Sequence, residues 1–158
     1  MEYALAQANA AIMNGSLSDP KMAGMAVQIK EINQLAAAHP GFIDRYSPLE
    51  FGELRAIADY LQEDKRDRIF FNMSIWRDLE SLRSFTYETI HRSLISRKAD
   101  WIQPQDRPSY VLWWHPVKQT LSVNIAAEKL SMFSTGKATS AAFDFNTLFP
   151  LPSDADQP

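Results

Sequence analysis

Cysteine is absent from the 158 residues. That excludes disulfides, thiolate metal sites and cysteine nucleophiles, and it fits a reducing compartment. A basic excess is absent too. Sixteen lysines and arginines stand against nineteen aspartates and glutamates, a net charge of −3, whereas a nucleic-acid surface needs clustered positive charge. No apolar run approaches the roughly 18 residues that cross a bilayer, and the opening segment MEYALAQANA lacks the basic start of a secretory signal. Only three histidines occur, His39, His91 and His115, on separate predicted elements and without HxxxH or HxxE spacing, so no metal centre is expected. A glycine-rich phosphate loop and a Gly-x-Ser-x-Gly turn are also missing. What these absences leave is one cytoplasmic domain, expected over residues 1–150, with a Pro- and Asp-rich frayed tail at 151–158.

What is present is apolar and aromatic. Hydrophobic residues make up 46% of the chain, with four tryptophans, five tyrosines and nine phenylalanines, enough for a core and an aromatic-lined pocket. Residues 2–10 alternate, with Tyr3, Leu5, Gln7 and Asn9 on one side and Ala4, Ala6, Ala8 and Ala10 on the other. Period two predicts a strand whose alanine face lets a helix approach closely, while Gln7 and Asn9 face something less apolar than a core. Asp19-Pro20 predicts the cap and first turn of a helix running to Ala38. A short strand is expected at 41–46. Ser47-Pro48-Leu49-Glu50 matches a capping box for a second helix. Residues 69–76 read as the clearest strand, a helix follows over 78–98, and 109–115 is again β-prone. Ser122 caps a last helix stopped by Gly136, and 142–146 is expected as a short final strand. The order contains βαββαβ, which implies a ferredoxin-like α+β domain with extra helices and an antiparallel sheet. With helices on one face, the other is expected to pair with a second copy into a dimeric α/β barrel.

Candidate site residues follow from spacing. His91 lies one helical turn after Tyr87, so the pair shares a face. An imidazole there can act as general base, with Tyr87 orienting it or donating to an oxyanion. Asn72, Ser74 and Trp76 share one strand face and suit a planar, oxygenated ligand. Gln7, Asn9 and Phe85 are expected beside them. Trp113 and Trp114 are adjacent on a strand and face opposite sides, so one enters the helix-side core and the other the pocket or the dimer contact. His115, on the side of Trp113, is expected at a surface or edge.

Residues Ile69 to Trp76, Asp78-Leu79-Glu80-Ser81-Leu82, Phe85-Thr86-Tyr87 with His91-Arg92, Val111-Leu112-Trp113-Trp114 and Ala142-Phe143-Asp144-Phe145 together resemble a bacterial and fungal domain-of-unknown-function family within the dimeric α/β-barrel superfamily. The resemblance spans about residues 3–150. That superfamily includes antibiotic-biosynthesis-type monooxygenases, and Trp76 and His91 resemble a Trp and His pair seen in many of them. The resemblance therefore implies a homodimer and a cofactor-free enzyme, a monooxygenase acting on a small hydrophobic, aromatic or polyketide-like molecule in natural-product biosynthesis. A cyclase or isomerase would use the same pocket. Haem held by His91, or non-catalytic binding as in stress proteins, are the other readings. The chain departs from the family at Val117-Lys118-Gln119-Thr120, where a Gly-His pair is usual, and at Gly136-Lys137-Ala138-Thr139.

Overall fold

A computed structural model describes residues 2–46, 51–91 and 98–153, with backbone alone at 51, 52, 90 and 91. Four strands, β1 (Tyr3–Ile12), β2 (Phe42–Tyr46), β3 (Ile69–Trp76) and β4 (Tyr110–Pro116), form one sheet in the order β2-β3-β1-β4. Every neighbouring pair is antiparallel. Helix α1 (Ala23–Ala37) carries the chain from β1 to β2, and α3 (Leu79–His91) with the short α4 (Lys98–Trp101) carries it from β3 to β4. This is the expected ferredoxin-like arrangement. Asp19 caps the entry turn, accepting from the Lys21 N–H at 3.1 Å. Asp78 caps α3 through the Ser81 N–H at 2.8 Å. The Ser81 hydroxyl and N–H hold the Asp78 carboxyl below its ordinary range.

The alternation in β1 decides the layering. Ala6, Ala8 and Ala10 are 0% exposed and pack with Met73, Val111 and Trp113 beneath α2 (Arg55–Leu61) and α5 (Val123–Thr135). Alanine side chains let these helices sit close to the sheet. That overturns the expectation of an uncovered face awaiting a second copy: the chain's own α2 and α5 fill it. The opposite face, carrying Gln7 and Asn9, lies under α1, α3 and α4.

One further difference has a local cause. Helix α3 is described as far as His91 and the next turn from Lys98; residues 92–97, within the helix expected over 78–98, lie outside the described residues, as does the Ser47–Glu50 capping box. The strand expected at 142–146 is reduced to isolated bridges, among them Leu112 with Phe143 and Asp144 with Thr147. There the Asp144 carboxylate accepts from the Asn146 and Thr147 N–H groups at 2.9 and 3.0 Å, a side-chain turn that competes with strand pairing. Gly41 is required where β2 starts, because a Cβ there would collide with the Ser81 side chain.

Candidate functional site

The Gln7 face of the sheet forms the floor of a cavity of about 290 Å³. Gln7 and Asn9 from β1 and Asn72, Ser74 and Trp76 from β3 lie on that floor. Met25, Ile29, Ile32 and Ala36 of α1, Phe85 and Thr89 of α3 and Trp101 of α4 close it from above. The strand register brings the floor together: Gln7 pairs with Ser74 and Asn9 with Asn72, and directly opposed residues project to the same side. Trp101 seals one end by packing on α1 at Gly24, where a Cβ would stand only 2.9 Å from the indole. Trp76 seals the other. It is fully buried, stacked on Phe85 at 4.8 Å and met edge-on by Phe42 and His39 at 5.4 and 5.5 Å.

The polar floor is wired in one direction. Trp76 Nε1 donates to Ser74 Oγ at 2.8 Å, and Ser74 Oγ donates to Gln7 Oε1 at 2.9 Å. An indole N–H only donates, so the serine oxygen accepts from it and its single proton goes to the Gln7 carbonyl oxygen. That fixes the Gln7 amide and leaves its NH2 group as the donor offered to the cavity.

Strand β2 contributes through an irregularity. Phe42 pairs with Trp76, the register then shifts, and Arg45 pairs with Ser74. The extra residue, Ile43, stands 53% exposed. A bulge of this kind re-aims side chains. Here it places Phe42 and Arg45, three positions apart, on the same cavity face.

Of the residues singled out from sequence, Gln7, Asn9, Asn72, Ser74, Trp76 and Phe85 converge on the cavity. Three do not. Tyr87 is 70% exposed, because its helical position faces away from Phe85 and Thr89. Trp113 is buried in the opposite core and donates through Nε1 to His115 Nδ1 at 3.3 Å. Trp114 lies on the cavity side of the sheet beyond the cavity's end, and its Nε1 donates to the Phe149 carbonyl at 3.0 Å. His91 lies on α3, and its side chain lies outside the described residues. His115, expected at an edge, is 2% exposed. Its Nε2 reaches the Gln119 carbonyl at 2.8 Å and its Nδ1 takes the Trp113 proton, so both ring nitrogens serve the fold.

Sequence reasoning missed Arg45, Thr89, Lys98 and Trp101, which also line the cavity. Gln28 and Asn33, two amides flanking the apolar stripe of α1, line it too and were a readable signal that this stripe is not wholly core. Among the described residues no three His, Asp or Glu side chains converge as a metal site. The haem reading rests on His91, whose side chain lies outside the described residues; of the other two histidines, His39 accepts the Gly41 N–H through Nδ1, His115 is bonded at both ring nitrogens, and neither lines the cavity. No helix among the described residues is long and apolar enough to cross a membrane.

The family model described as "Domain of unknown function (DUF3291)" matches residues 4–157. No curated protein matches. Among solved structures, SnoaB, a cofactor-independent oxygenase from Streptomyces nogalater, is similar at a TM-score of 0.49 and 13% identity, covering 76% of this chain and 98% of that one.

Proposed function

We infer that this chain, which belongs to the DUF3291 family, binds a small, flat, largely apolar molecule bearing an oxygen and acts on it as an enzyme needing no cofactor. The observation that carries this reading is the cavity, about 290 Å³ with four polar side chains on a floor whose walls are otherwise mostly aromatic and aliphatic. Ligand sites have this composition: apolar walls for affinity and a few placed polar groups for orientation. The Gln7 NH2, held by Ser74 and Trp76, donates to a carbonyl or enolate oxygen, and Asn72 and Asn9 form the next polar row beside it. Stabilising negative charge on that oxygen eases loss of a proton from the adjacent carbon. The monooxygenase resemblance nominates His91 as the base, but in α3 His91 shares the helical stripe of outward-facing Tyr87, so no base is assigned among the described residues. Tyr87 takes no part, since it faces outward. Monooxygenation of an aromatic or polyketide-like substrate in natural-product biosynthesis is the reaction proposed: O2 is the oxidant, the deprotonated substrate carbon itself supplies the electrons, one oxygen atom stays on that carbon as a carbonyl (CH2 to C=O) and the other leaves as water. A cyclisation or isomerisation would start from the same deprotonated species.

The test is direct. Trp76 and Trp101 line the cavity, so titration with a panel of hydroxylated and keto naphthalenes should quench tryptophan fluorescence saturably. Oxygen uptake is then followed with the best binder. His91→Ala decides whether that residue is a base at all: a loss of turnover of roughly 10²–10⁴-fold with little change in affinity would assign it the role, and unchanged turnover would remove it. Saturable binding without turnover would leave a binding protein, and no binding by any member of the panel would end the reading. A homodimer belongs to the same proposal through the resemblance. Sedimentation should give twice 18.0 kDa. A monomer would remove the dimer and leave the cavity reading intact, since the described lining comes from one chain.

A further inference from the structure

We propose that the ligand carries a carboxylate, seated on the row Arg45–Ser74–Gln7 of the cavity floor, and that Arg45 is the residue that selects it. The inference rests on the binding reading above and names the ligand's charge.

Three observations converge on it. The first is register: Arg45 on β2 is opposite Ser74 on β3, and Ser74 is opposite Gln7 on β1. Directly opposed residues have Cβ atoms about 4.5–5.5 Å apart, so a cation, a hydroxyl and an amide stand side by side across three strands. The second is donor polarity. The relay from Trp76 through Ser74 consumes the Gln7 carbonyl oxygen, and Gln7 Nε2 donates to nothing among the described residues. That end of the row therefore presents hydrogens to a ligand that accepts. The third is charge. The lining includes Arg45 and Lys98, and no Asp or Glu among the described residues, in a chain whose acids outnumber its bases. The neighbouring carboxylate, Asp44, accepts the Arg45 backbone N–H at 2.8 Å and is absent from the cavity lining; Asp44, Lys30 and Arg45 itself also border a more open groove outside. The Arg45 side chain makes no ion pair among the described residues.

A neutral ketone would satisfy the Gln7 amide equally well. The bulge that turns Arg45 onto this face is what separates the two ligands, because a guanidinium gains far more from a carboxylate than from a neutral carbonyl. Arg45 is solvent-exposed, so the advantage is screened and modest.

The experiment compares 2-naphthoate with 2-acetylnaphthalene, which share the ring system and differ in charge, by tryptophan quenching and calorimetry on the full chain. Naphthoate should bind about tenfold more tightly at low salt, and the margin should shrink as ionic strength rises. In Arg45→Gln the two ligands should bind equally, and Arg45→Lys should restore part of the margin. Thermal melting of each variant confirms that it is folded. Equal affinity in the native chain, or a margin that survives Arg45→Gln, would overturn the assignment. Binding of the ketone without a carboxylate advantage would overturn this inference alone, whereas binding of neither ligand would overturn the cavity reading with it.

Discussion

Replacing Ser74 by alanine tests the wiring of the floor most sharply. The Ser74 oxygen accepts from Trp76 Nε1 and donates to Gln7 Oε1, and Trp76 is fully buried. Removing the hydroxyl strands a buried indole N–H, which costs about 1–3 kcal/mol. The Gln7 carbonyl faces the cavity and recovers part of its bond from water, so a total near 2 kcal/mol is expected. For a chain of this length each kcal/mol lowers the melting midpoint by about 2–4 °C, which gives a fall of roughly 4–8 °C. The diagnostic is a double-mutant cycle with Trp76→Phe, which removes the donor but keeps an aromatic ring. In that background Ser74→Ala should be milder by about 0.5–3 kcal/mol, the usual coupling for directly bonded residues. Urea melts of the native chain, both single variants and the double variant provide the four values. Equal costs in both backgrounds would refute the relay and with it the fixed orientation of the Gln7 amide.

Gly41→Ala should destabilise through collision with Ser81, and Gly41→Ala/Ser81→Gly should recover much of the loss in a thermal melt. Asp78→Ala should cost about 1 kcal/mol as a lost helix cap. Because the native Asp78 carboxyl is held below 3.8 by Ser81, its contribution is complete above that pH and is lost as the pH falls through the lowered native value. The native chain and the variant should therefore converge in stability in acid, and a constant difference down to about pH 2 would contradict the assignment. Trp113→Ala should cost about 3–5 kcal/mol as a large core deletion. Trp114→Ala should cost less and should chiefly speed hydrogen exchange around Phe149, whose carbonyl it holds; equal global destabilisation by both would contradict their placement on opposite faces.

The sequence by itself determined most of the elements and the sidedness of β1 and β3. Alternation in β1 and β3 is a local property of the extended chain, so the grouping of Gln7 with Asn9, and of Asn72 with Ser74 and Trp76, was legible before any contact was known. The caps at Asp19 and Ser122 were legible for the same reason, since each acts within three residues of itself. Tertiary structure decided everything that depends on two distant segments meeting. Which helices cover the alanine face is set by where α2 and α5 land, and no periodicity records that. Tyr87 and His91 share a helical stripe in any structure, but only the packing of α3 shows that Tyr87 points to solvent. Trp113 and Trp114 had to part, and only the layering says which entered the core. Arg45 is the plainest case. Strict alternation from Phe42 would turn it to the other face, and it reaches the cavity because a bulge against β3 inserts one residue between them. Register shifts of that kind arise from pairing with a partner strand some thirty positions away, and a single strand's own pattern carries no trace of them.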